Sequence, residues 1–124
     1  YIAVECASFL KSFGYDATLM VRSIILRGFD RDMAERLQKV LEKEGIKFLH
    51  KCVPVSFSKN GEKVICEYKN NENGEIKKEE FDTVLLATGR KADCSKINIE
   101  CTGVNLAKSG KIIVDKYDKT NNLK

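Results

Sequence analysis

The chain has 124 residues, of which 43% are hydrophobic and 32% charged, with a formal net charge of +4 at pH 7. These figures suit one domain with a modest core and exclude a disordered chain. No apolar run approaches the roughly 20 residues that cross a bilayer as a helix, and the lysines are interleaved with Asp and Glu through residues 30–44 and 62–80 instead of forming the basic, aromatic-studded face of a nucleic-acid binder, so neither membrane nor nucleic acid is expected as a partner.

Residues 1–14 read as a helix. Ile2, Cys6, Phe9, Leu10 and Phe13 follow helical spacing, Ala3 and Ala7 are small enough to lie close against a sheet, and Gly14 suits a left-handed C-terminal cap. Ala3 could be the last small residue of a Gly-x-Gly-x-x-Gly/Ala loop whose two glycines would lie upstream of Tyr1. Such a loop sets a dinucleotide diphosphate on a helix N-terminus, where amides and dipole favour anions.

Residues 16–21 read as a buried strand of a parallel sheet. The strand stops at Arg22, about 20 residues after the helix start, where that fold places the adenosine ribose. A carboxylate there accepts from a free 2′-hydroxyl, whereas arginine meets a 2′-phosphate. Arg27 follows, and a guanidinium offers a planar fork of donors matched to phosphate. The pattern points to NADPH; the other reading is a pair of ordinary surface charges after a strand.

Asp30 is an N-cap for a second helix, residues 31–44, with Met33, Ala34, Leu37, Val40 and Leu41 on its apolar face. Gly45 ends it, and residues 46–49 form a short strand. Helix, strand, helix, strand at this pitch predicts βαβ units with right-handed crossovers. Residues 53–57, 64–68 and 76–80 then alternate in short segments, separated by the turn signals Asn60-Gly61 and Asn73-Gly74. They predict an antiparallel three-stranded meander with one wet face and Pro54 at an edge. Residues 81–87 read as another buried strand, closed by Thr88-Gly89-Arg90 at the carboxyl end where ligands sit. Residues 112–114 read as a last short strand and 116–124 as a tail.

Five cysteines, Cys6, Cys52, Cys66, Cys94 and Cys101, lack a Cys-x-x-Cys pair, and His50 is the one histidine. No metal site or redox dithiol is expected. Free thiols imply a reducing compartment; Cys6 and Cys66 fall in apolar patterns and read as core residues, and His50 as structural or exposed. The expected fold class is α/β, a Rossmann-like doubly wound parallel sheet over residues 1–124 with the meander 53–80 inserted, and without its first, central strand.

Three segments, Tyr1-Ile2-Ala3-Val4-Glu5-Cys6-Ala7, Met20-Val21-Arg22-Ser23-Ile24-Ile25-Leu26-Arg27-Gly28-Phe29-Asp30 and Leu85-Leu86-Ala87-Thr88-Gly89-Arg90, together resemble the pyridine-nucleotide domain of the flavin-dependent disulfide reductases. The spacing of Arg22 and Arg27 is similar to that in the large thioredoxin reductases and the fused thioredoxin–glutathione reductases; glutathione reductases have one more residue between the arginines, and lipoamide dehydrogenases an acidic residue at the first. The resemblance implies an enzyme that takes hydride from NADPH to FAD and on to thioredoxin or glutathione disulfide, as a homodimer in the cytoplasm or mitochondria. It implies that Tyr1 gates the flavin, that Glu5 positions the nicotinamide carboxamide with Ile2 beside it, that Arg22 and Arg27 hold the 2′-phosphate with Ser23 as a third donor, and that Thr88, Gly89 and Arg90 form a second cofactor loop. The dithiol, the main flavin site and the dimer domain lie outside these residues, so the chain is expected to be a fragment, inactive alone and marginally stable, with no catalytic residue of its own. A glutathione reductase or a non-catalytic dinucleotide-binding module are the alternatives.

Overall fold

The computed structural model describes residues 1–122. The chain divides into two units, Tyr1–Ala87 and the residues from Thr88 on, and each is described by itself.

In the first unit, α1 (Ile2–Ser12) and α2 (Arg31–Lys43) accompany two parallel strands, β1 (Thr18–Val21) and β2 (Lys47–His50). The register sets Thr18 against Lys47 and Val21 against His50. Both helices end in the same way. Gly45 adopts φ 92 and donates to the Glu42 carbonyl, and Ile46 donates to the Leu41 carbonyl, each at 3.0 Å. This is the paired bonding of a Schellman cap, with apolar Leu41 and Ile46 buried together across it. Gly14 and Tyr15 repeat the pattern on Lys11 and Leu10. The expected helix ends and the βαβ unit are therefore present.

Side chains alternate along β1, and the two faces of the small sheet are covered differently. Leu19 and Val21 pack with Val4 and Ala7 of α1, Ala34 and Leu41 of α2, and Ile25. Met20 and Leu49 point the other way, against Cys52, Cys66 and Tyr68. Those residues belong to the meander β3 (Cys52–Asn60), β4 (Lys63–Asn70) and β5 (Ile76–Phe81), antiparallel in that order. Pro54 lies on the edge strand β3, beside a bulge between Pro54 and Ser56, where a missing N–H costs the sheet least. Cys66 is buried as expected, whereas Cys6 is half-buried.

The expected helix faces are only partly buried. In α1, Val4 and Ala7 are buried, while Phe9 and the C-cap residue Phe13 are more than 60% exposed and meet edge-to-face. In α2, Ala34 and Leu41 are buried, but Met33, Leu37 and Val40 are exposed. Val4, Ala7, Ala34 and Leu41 meet the core, and the remaining apolar side chains lie on faces that no described element covers.

Two expected strands do not form. Residues 82–87 are without regular structure, and Leu85 and Leu86 are exposed. No described strand lies in ladder with this run, so its amides and carbonyls have no partner strand to join. In the second unit, residues 112–114 make only a single antiparallel bridge, Leu106 to Ile112, around the Ser109-Gly110 turn. A short 3₁₀ turn, Ile99–Thr102, precedes it. The expected tail is tied down within its own unit: Asn121 accepts from the Asn105 N–H and donates to the Gly103 carbonyl, both at 2.8 Å. Leu123 and Lys124 of that tail lie outside the described residues.

A carboxylate joins the meander to the parallel sheet. Glu79 of β5 accepts from Lys47 Nζ of β2 at 2.8 Å and from the phenol of buried Tyr68. The Lys47 hydrogen bond, then that of Tyr68, holds the Glu79 carboxyl below the usual carboxylate range, with Lys77 adding and burial opposing. Burial, then the bond to Glu79, raises the Tyr68 phenol, so it stays a donor. A depressed carboxyl stabilises the fold above its unfolded pKa and loses that contribution as pH falls through its folded one. Glu79→Gln should therefore cost about 1 kcal/mol at neutral pH, discounted for partial exposure. The difference from the native chain should shrink below about pH 4, as denaturant titrations at pH 7 and pH 3 would measure.

Candidate functional site

The site is built where β1 ends. Val21 is the last residue of the ladder, and Arg22 stands exposed just beyond it. The residues between Ser12 and Thr18 are too few to do more than turn the chain back, so α1 runs alongside β1 in reverse. Val4, near the start of α1, accordingly shares a core cluster with Val21 and Ile25 at the end of β1. The α2 N-terminus follows the same loop. The carboxyl end of β1 and the N-termini of two helices thus share one edge.

The loop of residues 22–30 is fixed at several points. Ile25 is 5% exposed and plugs the loop into the core. Leu26 adopts φ 48, a left-handed conformation that costs a residue with a β-carbon roughly 1–2 kcal/mol. Phe29 donates to the Leu26 carbonyl at 3.0 Å, closing a four-residue turn with Arg27 second and Gly28 third. Gly28 has φ 92, which a side chain would strain although nothing lies within 4 Å of an added Cβ. Asp30 then accepts from the Met33 N–H at 3.0 Å and caps α2, as its position in the sequence predicts.

The structure brings two of the expected site residues into direct contact: Arg27 Nη2 donates to Ser23 Oγ at 2.7 Å. Arg22 makes no hydrogen bond or ion pair among the described residues. The ion pairs among those residues use lysines or His50, never an arginine. Both guanidinium groups therefore keep an unneutralised charge, and Arg27 is pre-oriented by its own neighbour. Tyr1 occupies the N-cap of α1 without a side-chain cap bond, which leaves the first-turn amides open to an anion. Tyr1, Ile2 and Glu5 are exposed there, with the Glu5 N–H on the Tyr1 carbonyl one turn away at 3.0 Å. Arginine forks, a hydroxyl and uncapped helix amides are a donor set suited to phosphate groups.

Thr88, Gly89 and Arg90 belong to the second unit, exposed and outside any regular element, with Gly89 at φ 114. His50 is exposed, within 3.4 Å of Glu42 and 3.3 Å of Gln38, and stacks on Phe48. No cluster of His, Cys, Asp and Glu among the described residues could hold a metal ion, and no helix among them is long and apolar enough to cross a membrane.

The pyridine nucleotide-disulphide oxidoreductase family model matches residues 1–124. The chain belongs to that family. Its relatives include the thioredoxin reductase of Plasmodium falciparum (isolate FCH-5), 40% identical over 122 residues, covering 98% of this chain and 22% of that protein. Mitochondrial thioredoxin reductase 2 of Drosophila melanogaster is 39% identical over 122 residues, covering 98% of this chain and 23% of that protein. Among solved structures, the Cu(II) complex of the HOCl-induced flavoprotein disulfide reductase RclA from Escherichia coli superimposes with a TM-score of 0.84 at 25% identity, over 99% of this chain and 27% of that one. This oxidoreductase domain spans less than a quarter of the curated thioredoxin reductases it matches, and its parallel strands and three-stranded antiparallel sheet are those of a Rossmann-type flavoprotein reductase.

One contact escaped sequence reasoning. Arg31, in the first turn of α2, reaches back to the loop carbonyls of Ile25 and Leu26. The available signal was its position, since a first helical turn favours carboxylates and disfavours cations. The cap bond that ends the loop can be checked alone. Asp30→Ala should cost about 1 kcal/mol, read as faster amide exchange at Met33 with little change at Leu41.

Proposed function

We propose that this chain is the NADPH-binding domain of an FAD-dependent disulfide reductase of the thioredoxin reductase or thioredoxin–glutathione reductase type. The observation that carries the reading is the loop after β1, where Arg22 and Arg27 stand free of carboxylates and Ser23 holds Arg27. A ribose with a free 2′-hydroxyl would gain little from such a site, whereas a 2′-phosphate supplies the missing counter-charge. The 40% identity to a thioredoxin reductase supports the same reading.

Bound there, NADPH supplies a hydride that reaches a disulfide by way of FAD, which other parts of the parent enzyme hold. The residues of this chain bind and orient. Arg22, Arg27 and Ser23 grip the 2′-phosphate, and the open amides at the start of α1 receive the diphosphate. Glu5 and Ile2 position the nicotinamide end, and Tyr1 covers the flavin until nicotinamide arrives. Thr88, Gly89 and Arg90 offer the cofactor a hydroxyl, an open backbone and a further guanidinium. Thioredoxin or glutathione disulfide is reduced elsewhere in a homodimeric parent, and the isolated chain does not turn over.

In the intact reductase, changing Arg22 and Arg27 together to Ala should raise KM for NADPH by about a hundredfold or more, two charge-assisted hydrogen bonds' worth. KM for NADH should move little; equal changes for both cofactors would overturn the assignment. Tyr1→Ala should raise flavin fluorescence and its access to small solutes in the resting enzyme, and unaltered fluorescence would remove Tyr1 from the gate.

A further inference from the structure

The loop of residues 22–30 is met from α2 by an arginine whose charge is turned inward. Arg31 is half-buried at the first position of α2, where the helix dipole disfavours a cation. Its side chain does not extend into solvent. Nη1 donates to the Ile25 carbonyl at 2.9 Å and approaches the Leu26 carbonyl at 3.4 Å. Those carbonyls belong to the two residues at which the loop changes direction: Ile25 is anchored in the core and Leu26 is held at φ 48. Arg27 comes next, at the second position of the turn closed by Phe29.

We propose that Arg31 is a positioning residue for coenzyme selectivity: by bridging the Ile25 and Leu26 carbonyls it keeps Leu26 left-handed, and so aims Arg27. The inference rests on the reading of Arg27 as a 2′-phosphate ligand. Strain at a residue with a β-carbon persists only where its surroundings over-determine it. The Phe29 bond holds the Leu26 carbonyl but leaves that of Ile25 without a second tether; Arg31 supplies it. Without the guanidinium, Leu26 relaxes toward the right-handed region and rotates the peptide that leads into Arg27. The bond from Arg27 to Ser23 then no longer sits in the geometry the phosphate requires.

The test uses the intact reductase. Arg31→Met should raise KM for NADPH about tenfold, the loss of one well-placed charge-assisted hydrogen bond, with kcat and KM for NADH nearly unchanged. The effect should vanish in an Arg27→Ala background, because there is then nothing to aim. Amide exchange at Arg27, Gly28 and Phe29 should quicken in the Met variant. Arg31→Lys, which keeps the charge but serves one carbonyl, should fall between the two; it also stands in if the Met variant does not fold.

Equal loss for NADPH and NADH would make Arg31 a general prop and overturn the inference. So would an undiminished effect in the Arg27→Ala background, which would place Arg31 on the cofactor itself, or full retention by Arg31→Lys. If Arg27→Ala raises KM for NADPH and NADH by the same factor, the 2′-phosphate reading fails and this inference with it. If Arg27→Ala raises KM for NADPH alone and Arg31→Met is silent, only the positioning role fails.

Discussion

The parallel pairing of β1 with β2 determines where everything else can go. Strands that run together end together, and short helical returns bring the next N-termini back to the same edge. The pairing is specified by more than its own hydrogen bonds. Leu19 and Val21 must face the helices and Met20 the meander. A slip of one residue would exchange these faces. The register that buries Val21 is therefore also what makes Arg22 the first residue beyond the ladder, exposed at the edge and not hidden beneath it.

The meander gives that small sheet its second cover. Two strands of four residues have little stability by themselves. Helices take one face. On the other, Met20 and Leu49 close over Cys52, Cys66 and Tyr68, and Glu79 binds Lys47 across 32 positions of sequence. Lys51, at φ 54 between β2 and β3, is the sharp corner that lets the meander return so soon. The inserted strands are thus part of what holds β2 in register, although they carry none of the expected cofactor residues.

What the sequence discloses depends on whether the cause is local. Helix ends at Gly14 and Gly45, the Asp30 cap and the hairpin after Asn60 all follow from residues within a few positions, and all are present. Residues 81–87 have the composition of a buried strand, but beyond Phe81, which pairs within the meander, they find no neighbour, which composition cannot supply. The stripes of α1 and α2 are buried only in part for the same reason: periodicity marks what a helix could bury, and Phe9, Met33 and Val40 find no described surface to meet. At the site, the spacing of Arg22 and Arg27 was legible because it reflects the length of a loop. The backbone of Leu26 and the inward turn of Arg31 were not, since no local rule places a leucine at positive φ.

Charge is distributed here so that composition conceals the site. A net +4 over 124 residues is mild, and the lysines on and beside the meander pair with its carboxylates across exposed faces, as in Lys51 with Glu72 and Lys78 with Glu67. Such pairs contribute little to stability, about 0–1 kcal/mol each, yet they cancel the field over the meander. The arginines take no part. In the segment from Arg22 to Arg31 there are three guanidinium groups and one carboxylate, that of Asp30, which accepts from a helix amide. That segment therefore keeps uncompensated positive charge at the sheet edge, although the domain as a whole is only mildly basic. Arg31 separates placement from charge within that segment: its guanidinium adds to the field while its donors are taken up by the Ile25 and Leu26 carbonyls.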